Sequence, residues 1–502
     1  VTLVGRLIKA LAPSAAPVRD DGMAALLRKR RYDAASRGRL TEDWAATTAS
    51  ADVMIERDAA LLRARMRDLV RNNSYAAKAV QVLVNNIVGT GIEPRAASPN
   101  KARNRRVDRL FAEWSRQCDV AGISTFHALV ALAVREMIEG GDVFAVRRFG
   151  PVRGLRVPLQ IELREADHLD VSKLEERDAY RIDAGIEYDR EGRRIAYWLY
   201  DHHPGGRLLS LRGATLSRRL SVDQVVHLFE RQRLQSRGVP WGTPAMRDIR
   251  DMGDWRRAEL TRKKLEAAMV GIVTGDDDEQ DSATGALVVD SEGNEVERWE
   301  PGMFAYLRGG KDITFNDPKP HGGIYEWTSV QAHDIASGFR IPYEYLTSDL
   351  KQVNFSSSRL GLNEFRRMVE QVQWQLVIPV LCQRLWDWFI DAAYLAGEID
   401  VPDVPVKWQP PRFESVNPLQ DVQADIAEVR AGFATTAQKI AARGYLPDEV
   451  IEEQAAYLAA ADDAGLVVDT DPRRVAKSGA LQSADPPDDA PGTPPATDPG
   501  QD

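Results

Sequence analysis

Leu362, Phe365, Val369, Val372, Leu376 and Leu381 recur at spacings near three and four, a period that a helix satisfies and a strand does not. The pattern predicts one long helix running to about Ala396, with the serines at 356–358 available to cap its start. Pro379 falls inside it. A proline removes a helical hydrogen bond and clashes with the preceding turn, so a kink is expected there. Trp374, Trp386 and Trp388 place heavy burial in the same half. A helix of this kind needs a large body to pack against, and 502 residues are enough for several lobes.

The residues before that helix change period repeatedly. A basic cluster, RKRR at 28–31, lies in a start read as a partly disordered arm, and a solvated helix face is its blander reading. Leu61, Leu62, Met66, Leu69 and Val70 fall at helical spacing; residues 72–74 break the pattern, and a second helix follows, ended by Gly89 and Gly91. The GTG there lacks a third glycine and follows a helix, so it is no dinucleotide loop. From about 142 to 226 the segments VFAVRRF, LQIELREA, GIEYD, RIAYWLY and QVVHLFE read as strands. Thr243 then looks like an N-cap with Pro244 at the first helical position, opening a helix to about Val270 that is charged on most faces. Residues 271–322 read as a small strand-rich unit, and 324–339 as another helix.

Between that helix and the long one lies GFRIPYEYLTSDLKQVNFSSSR, a polar interruption without a catalytic set. Beyond the long helix, VPVKWQP reads as a strand returning to an earlier sheet. A helical pair is expected over 418–466, then a Pro- and Asp-rich tail expected to be disordered.

Several chemistries are excluded. Cys118 and Cys382 alone cannot form a disulfide framework or a cysteine zinc site. No HExxH, GxxxxGK[ST] or GxSxG motif occurs. His202 and His203 are adjacent but diverge, with no third ligand near in sequence, so no metal role is assigned. The acidic run containing Asp276, Asp277, Asp278 and Glu279 lacks EF-hand spacing. No apolar run reaches the length of a membrane span. The net charge of −9 argues against a static grip on nucleic acid, because such affinity comes from displacing phosphate counterions.

The blocks RNNSYAAKAVQVLVNNIVGTGI, EGGDVFAV, LQIELREADHL, GIEYDREGRRIAYWLY, QVVHLFERQRLQSRGVPWGTPAM and GFRIPYEYLTSDLKQVNFSSSRLGLNEFRR, in this order, closely resemble the lambda-type portal proteins of tailed bacteriophages. The resemblance implies an α+β portal-type fold and no enzymatic activity. It implies a wing over 49–242, stem helices at 243–270 and 323–339 with a β-rich clip at 271–322 between them, and a tunnel loop at 340–356. A kinked tunnel helix with its return strand (357–415), a helical crown (416–466) and the tail (467–502) complete the map.

It further implies a cyclic ring of roughly twelve copies at a capsid vertex of the virion, assembled in the host cytoplasm, with double-stranded DNA in transit. The implied partners are the terminase large subunit, tail or head-completion adaptors, the major capsid protein and scaffold; no cofactor or membrane is implied. Ser348, Asp349, Lys351, Gln352 and Asn354 become channel-facing residues, the acidic run at 276–279 a docking tip, and Pro379 the bend that lets the tunnel helix cross from channel to wing. A plain helix connection, with Ile341 and Tyr343 packed inward, is the competing reading of the loop. A metal-dependent DNA-processing enzyme using residues 276–278 is the competing function.

Overall fold

The computed structural model describes residues 47–150, 154–206, 216–268, 323–351, 355–413, 417–445, 447–468 and 471, with short strands at 272–274, 287–289, 295–297 and 305–307. Val1–Met54 form one unit, described from residue 47; Ile55–Asp502 form a second, which carries both hydrophobic cores.

Helix α1 (Ala51–Asn72) is followed at once by α2 (Ser74–Ile87). The break is made by Asn73, whose side-chain oxygen accepts from Tyr75 N (2.9 Å) and Ala76 N (3.3 Å). Strand β1 (Glu93–Ala96), α3 (Lys101–Ser115) and α4 (Phe126–Gly140) lead into a three-stranded antiparallel sheet of order β3-β2-β9: β2 is Asp142–Phe149, β3 Leu159–Glu165 and β9 Val225–Phe229. Between β3 and β9 runs a five-stranded meander, β4 (Glu175–Glu176), β5 (Tyr180–Asp183), β6 (Ile186–Asp189), β7 (Arg194–Tyr200) and β8 (Ser217–Ser221).

Alternation along β2 explains the layering. Val143 and Ala145 enter the main core, beside α4; Phe144 and Val146 enter a second core with Leu169, Tyr188, Tyr197 and Leu199. Period-two side-chain geometry thus buries both faces of one strand in different cores. In the main core Phe111 of α3 lies 5.1 Å from Phe126 and 5.2 Å from Phe389, ring centre to ring centre. That edge-to-face packing ties α3 and α4 to the segment around Phe389, more than 250 residues further along the chain.

The sheet also carries a buried ionic knot. Asp142 takes two bonds from Arg237, one of them Nη2 to Oδ1 at 3.2 Å, and lies 3.1 Å from His227 Nε2. Arg194 Nη1 is 3.2 Å from His227 Nδ1. A guanidinium only donates, so Nδ1 accepts and the imidazole proton sits on Nε2, aimed at Asp142. Burial holds His227 down, to about 4, against the pull of Asp142. Asp142 itself is held well below the carboxylate range because Arg237 and His227 together outweigh its burial.

Helix α5 (Met246–Ala268) buries Ile249 and Met252 at its root. Thr243 is not its N-cap: residues Thr243–Ala245 form a tight 3-10 turn behind Gly242, and Thr243 Oγ1 instead donates to Pro240 O at 2.6 Å. Strands β10 (Ile272–Thr274), β11 (Leu287–Val289), β12 (Glu295–Glu297) and β13 (Ala305–Leu307) pair as β10-β13 and β11-β12. Helix α6 (Ile324–Gly338) returns beside α5, with Trp255 and Trp327 rings 4.1 Å apart. The two roots meet closely: a Cβ on Gly338 would lie 2.7 Å from Ala245 Cβ.

After a short α7 (Tyr343–Thr347), the long helix runs as α8 (Phe355–Val372), a π-helical stretch Gln373–Cys382 and α9 (Gln383–Leu395). It starts at Phe355, so the serines at 356–358 lie in its first turn and do not precede it. Pro379 sits in the π-helical stretch. The wider turn gives the ring room that an α-turn would deny, so the helix bends without breaking. Strand β14 (Val406–Gln409) pairs antiparallel with β1, giving a separate two-stranded ladder instead of joining the larger sheets. The expected helical pair is three helices: α10 (Pro418–Arg430), α11 (Thr436–Ala442) and α12 (Pro447–Asp463). No helix among the described residues is long and apolar enough to cross a membrane.

Candidate nucleic-acid interface

The segment after α6 is anchored before it is free. Arg340, two residues past the helix, has a left-handed backbone (φ 61°), which turns the chain sharply off the helix end. The side chain fixes that turn: both guanidinium nitrogens donate to Glu230, at 2.7 and 3.0 Å, and the group lies 5.0 Å from the Trp241 ring centre. Ile341 and Leu346 are buried in the main core, and Tyr343 stacks on His333 with ring centres 4.0 Å apart. Up to Thr347, therefore, the segment is packed against the body of the chain. The inward packing of Ile341 is real, and residues Tyr343–Thr347 are helical.

The polar part begins at Ser348, again left-handed (φ 60°). Lys78 of α2 donates to Ser348 Oγ. Asp349 accepts from Tyr325 OH of α6 at 2.7 Å and from Lys351 N at 3.1 Å. The Tyr325 bond, with the Lys351 amide, holds Asp349 below the usual carboxylate range, while the same bond raises the phenol to about 12. Lys351 Nζ lies 5.5 Å from the Tyr325 ring centre, and Leu350 is exposed. The loop thus presents two ammonium groups, Lys78 and Lys351, from two elements. Lys78 carries no signal in sequence, because only the fold brings α2 to the loop. Gln352 and Asn354 lie outside the described residues, as do Asp276, Asp277, Asp278 and Glu279.

One cluster that sequence reading dismissed is assembled by the fold. His203 Nε2 lies 3.5 Å from Glu165 and 3.9 Å from Asp167, so two carboxylates do come near it. The cation there is already protein: Arg67 reaches Glu165 (2.8 Å), Asp167 (2.7 Å) and Glu136 (2.6 Å), and Arg63 adds a bond to Asp167. Burial pushes the crowded Glu136 up to about 7 despite Arg67. A metal ion would have to displace two guanidinium groups, so the arrangement reads as an ion network.

The sequence profile described as phage portal protein, lambda family, matches residues 37–373. The chain belongs to that family. A probable portal protein of Halomonas phage phiHAP-1 is 25% identical over 84% of this chain and 85% of its own length. The portal protein of Escherichia phage N15 is 21% identical over 82% and 86%, and portal protein B of Escherichia phage lambda 22% identical over 61% and 65%. A chain in the neck of the native gene transfer agent particle, computed with C12 symmetry, is 16% identical and covers 78% of this chain and 94% of its own, with a TM-score of 0.40. Lambda-family portal proteins are structural components of phage particles and are not enzymes, so the nuclease reading of residues 276–278 falls.

Proposed function

We propose that this portal-family chain is the repeating subunit of a ring of roughly twelve copies at one capsid vertex, and that double-stranded DNA enters and leaves through its axis. The observation that carries the ring is the outer face of the paired helices. Ile324, Tyr325, Trp327 and Val330 on α6 and Leu260 on α5 are all between 37% and 59% exposed in the single chain. Exposed apolar side chains on this pair, of which α5 is otherwise charged on most faces, suit a cyclic, head-to-tail contact between copies.

In this reading 243–270 and 323–339 are the stem, 271–322 the clip and 416–466 the crown. The wing takes 49–242, joined by the kinked helix and return strand at 357–415. The loop end from Ser348 to Asn354 faces the channel, where Lys78, Lys351, Gln352 and Asn354 touch passing phosphates. Few cations suffice, because firm neutralisation of a backbone carrying one charge per about 1.7 Å would stall the duplex. The acidic clip tip at 276–279 meets the terminase large subunit and later the tail adaptor, the wing meets the capsid protein, and assembly takes place in the host cytoplasm.

Native mass and negative-stain imaging of the purified protein, alone and then with capsid and scaffold proteins, test this. A closed ring with an axial hole is expected. A species that stays monomeric even with its assembly partners present would overturn it.

A further inference from the structure

A cavity of about 860 Å³ separates the β1–β14 ladder from helices α11 and α12. Its floor is set by register. Arg95 pairs with Lys407 and Glu93 with Gln409, so Arg95, Lys407 and Gln409 project from one face of the ladder, and all three line the cavity. Two of them offer buried donors that meet no acceptor among the described residues: Arg95 Nε and Gln409 Nε2. Buried N–H groups without acceptors cost free energy, so a site built this way is completed by something that brings oxygen atoms. The walls add four aromatic side chains, Trp374, Trp408, Phe413 and Tyr445, of which Trp374 is 52% exposed. Lys101, Lys407 and Arg412 are exposed cations at the cavity; of the five acids in its lining, Glu452 is answered by Arg105 at 3.2 Å, Glu449 by Arg95 at 3.8 Å and Asp108 by Ala96 N at 2.9 Å, and the other two are Glu370 and Asp448.

Aromatic walls, carbonyl-seeking donors and spare cations together describe a groove for an extended, proline-containing, acidic peptide. The chain supplies one. Residues 483–502 read SADPPDDAPGTPPATDPGQD, with prolines at intervals, five aspartates and no basic residue. Such a sequence favours the polyproline II form, whose carbonyls make no internal hydrogen bonds and are open to donors. It also lies within reach. The first turn of α12 lines the cavity, and the return path along this 17-residue helix is about 26 Å, less than ten extended residues cover.

We propose that the C-terminal segment 483–502 folds back into this cavity of its own chain. There its prolines lie on Trp374, Trp408 and Tyr445, its carbonyls accept from Arg95 Nε and Gln409 Nε2, and its aspartates face Lys407 and Arg412. The interaction would hold α11 and α12 against the body of the chain. It does not depend on ring formation, since it is read on any oligomer.

The test uses the full-length chain and a full-length variant in which Pro486, Pro487, Pro491, Pro494, Pro495 and Pro499 are serine. Amide exchange at 93–97 and 406–410 should be at least about tenfold faster in the variant. A synthetic peptide of sequence 483–502 should bind the variant about tenfold more tightly than the wild type, whose own segment occupies the site. Lys407→Glu and Trp374→Ala, both at exposed positions, should each abolish that difference. Equal exchange in the two full-length chains would overturn the proposal. So would peptide binding that is equal for both chains, or indifferent to Lys407→Glu. None of these results bears on whether a ring forms.

Discussion

His227 shows how a single residue can couple two sheets and a pH window. It stacks on Phe144 at 4.4 Å and packs beside Phe229 at 4.5 Å, with Asp142 and Arg194 on its two nitrogens. Its folded pKa, about 4, lies below the unfolded value near 6.5. The folded state therefore favours the neutral ring. The resulting stability is complete above pH 6.5 and is lost as pH falls toward 4, because the unfolded chain binds the proton first. Glu136 works the other way. Its pKa is raised to about 7 from 4.5, so the folded state holds the proton more tightly and stability is lost as pH rises through that range. The two slopes oppose each other, and the informative quantity is a difference between proteins. Chemical denaturation at pH 7.5 and pH 4.5 should show His227→Gln, which keeps a donor for Asp142 but does not titrate, losing less stability on acidification than wild type. The expected gap is on the order of 2–3 kcal/mol. An unchanged gap would mean that His227 does not govern the acid limb.

At the scale of elements, the long helix is held where its hydrogen bonding changes. Gln373, at the start of the π-helical stretch, is 1% exposed and donates to Ile87 O at 2.8 Å, closing the C-terminus of α2. Gln373→Leu keeps the bulk and removes the donor. Equilibrium unfolding should show a loss of about 1–3 kcal/mol, the cost of leaving a buried carbonyl unsatisfied. The loop base offers a second test. Arg340→Ala deletes the fork to Glu230 and the contact with Trp241, and should cost about 1 kcal/mol since the pair is partly exposed. Amide exchange should accelerate over 341–351 and stay unchanged in β2 and β9. Arg340→Lys should not restore protection, because an ammonium cannot make the two-pronged contact.

For the whole molecule, the decisive surface is the apolar face of α6. Ile324→Asp combined with Val330→Asp should leave the fold intact, since both side chains are exposed in the single chain, while placing charge at the contact between copies. Native mass should then shift from a ring to small species, with circular dichroism unchanged. A ring that survives both substitutions would place the contact elsewhere on the subunit.

Much of this architecture was legible as periodicity. The short, β-rich runs VFAVRRF, LQIELREA and QVVHLFE, set off by turn residues, marked three strands that the structure pairs into one sheet, and the three- and four-residue spacing from Leu362 to Leu381 marked the long helix. These signals are local, since a side chain's direction follows from its neighbours a few bonds away. The block order likewise sufficed to recognise the portal family. What the sequence could not carry is juxtaposition. Lys78 meets Ser348 across 270 residues, Arg340 meets Glu230 across 110, and His203 reaches Glu165 and Asp167 only because the meander folds back on β3. Pro379 announced a disturbance, yet whether the helix would break, kink or widen into π-turns depended on the core that holds both of its ends. Local chemistry determined the elements and their faces; the burial of those faces against one another decided which distant groups would share a site.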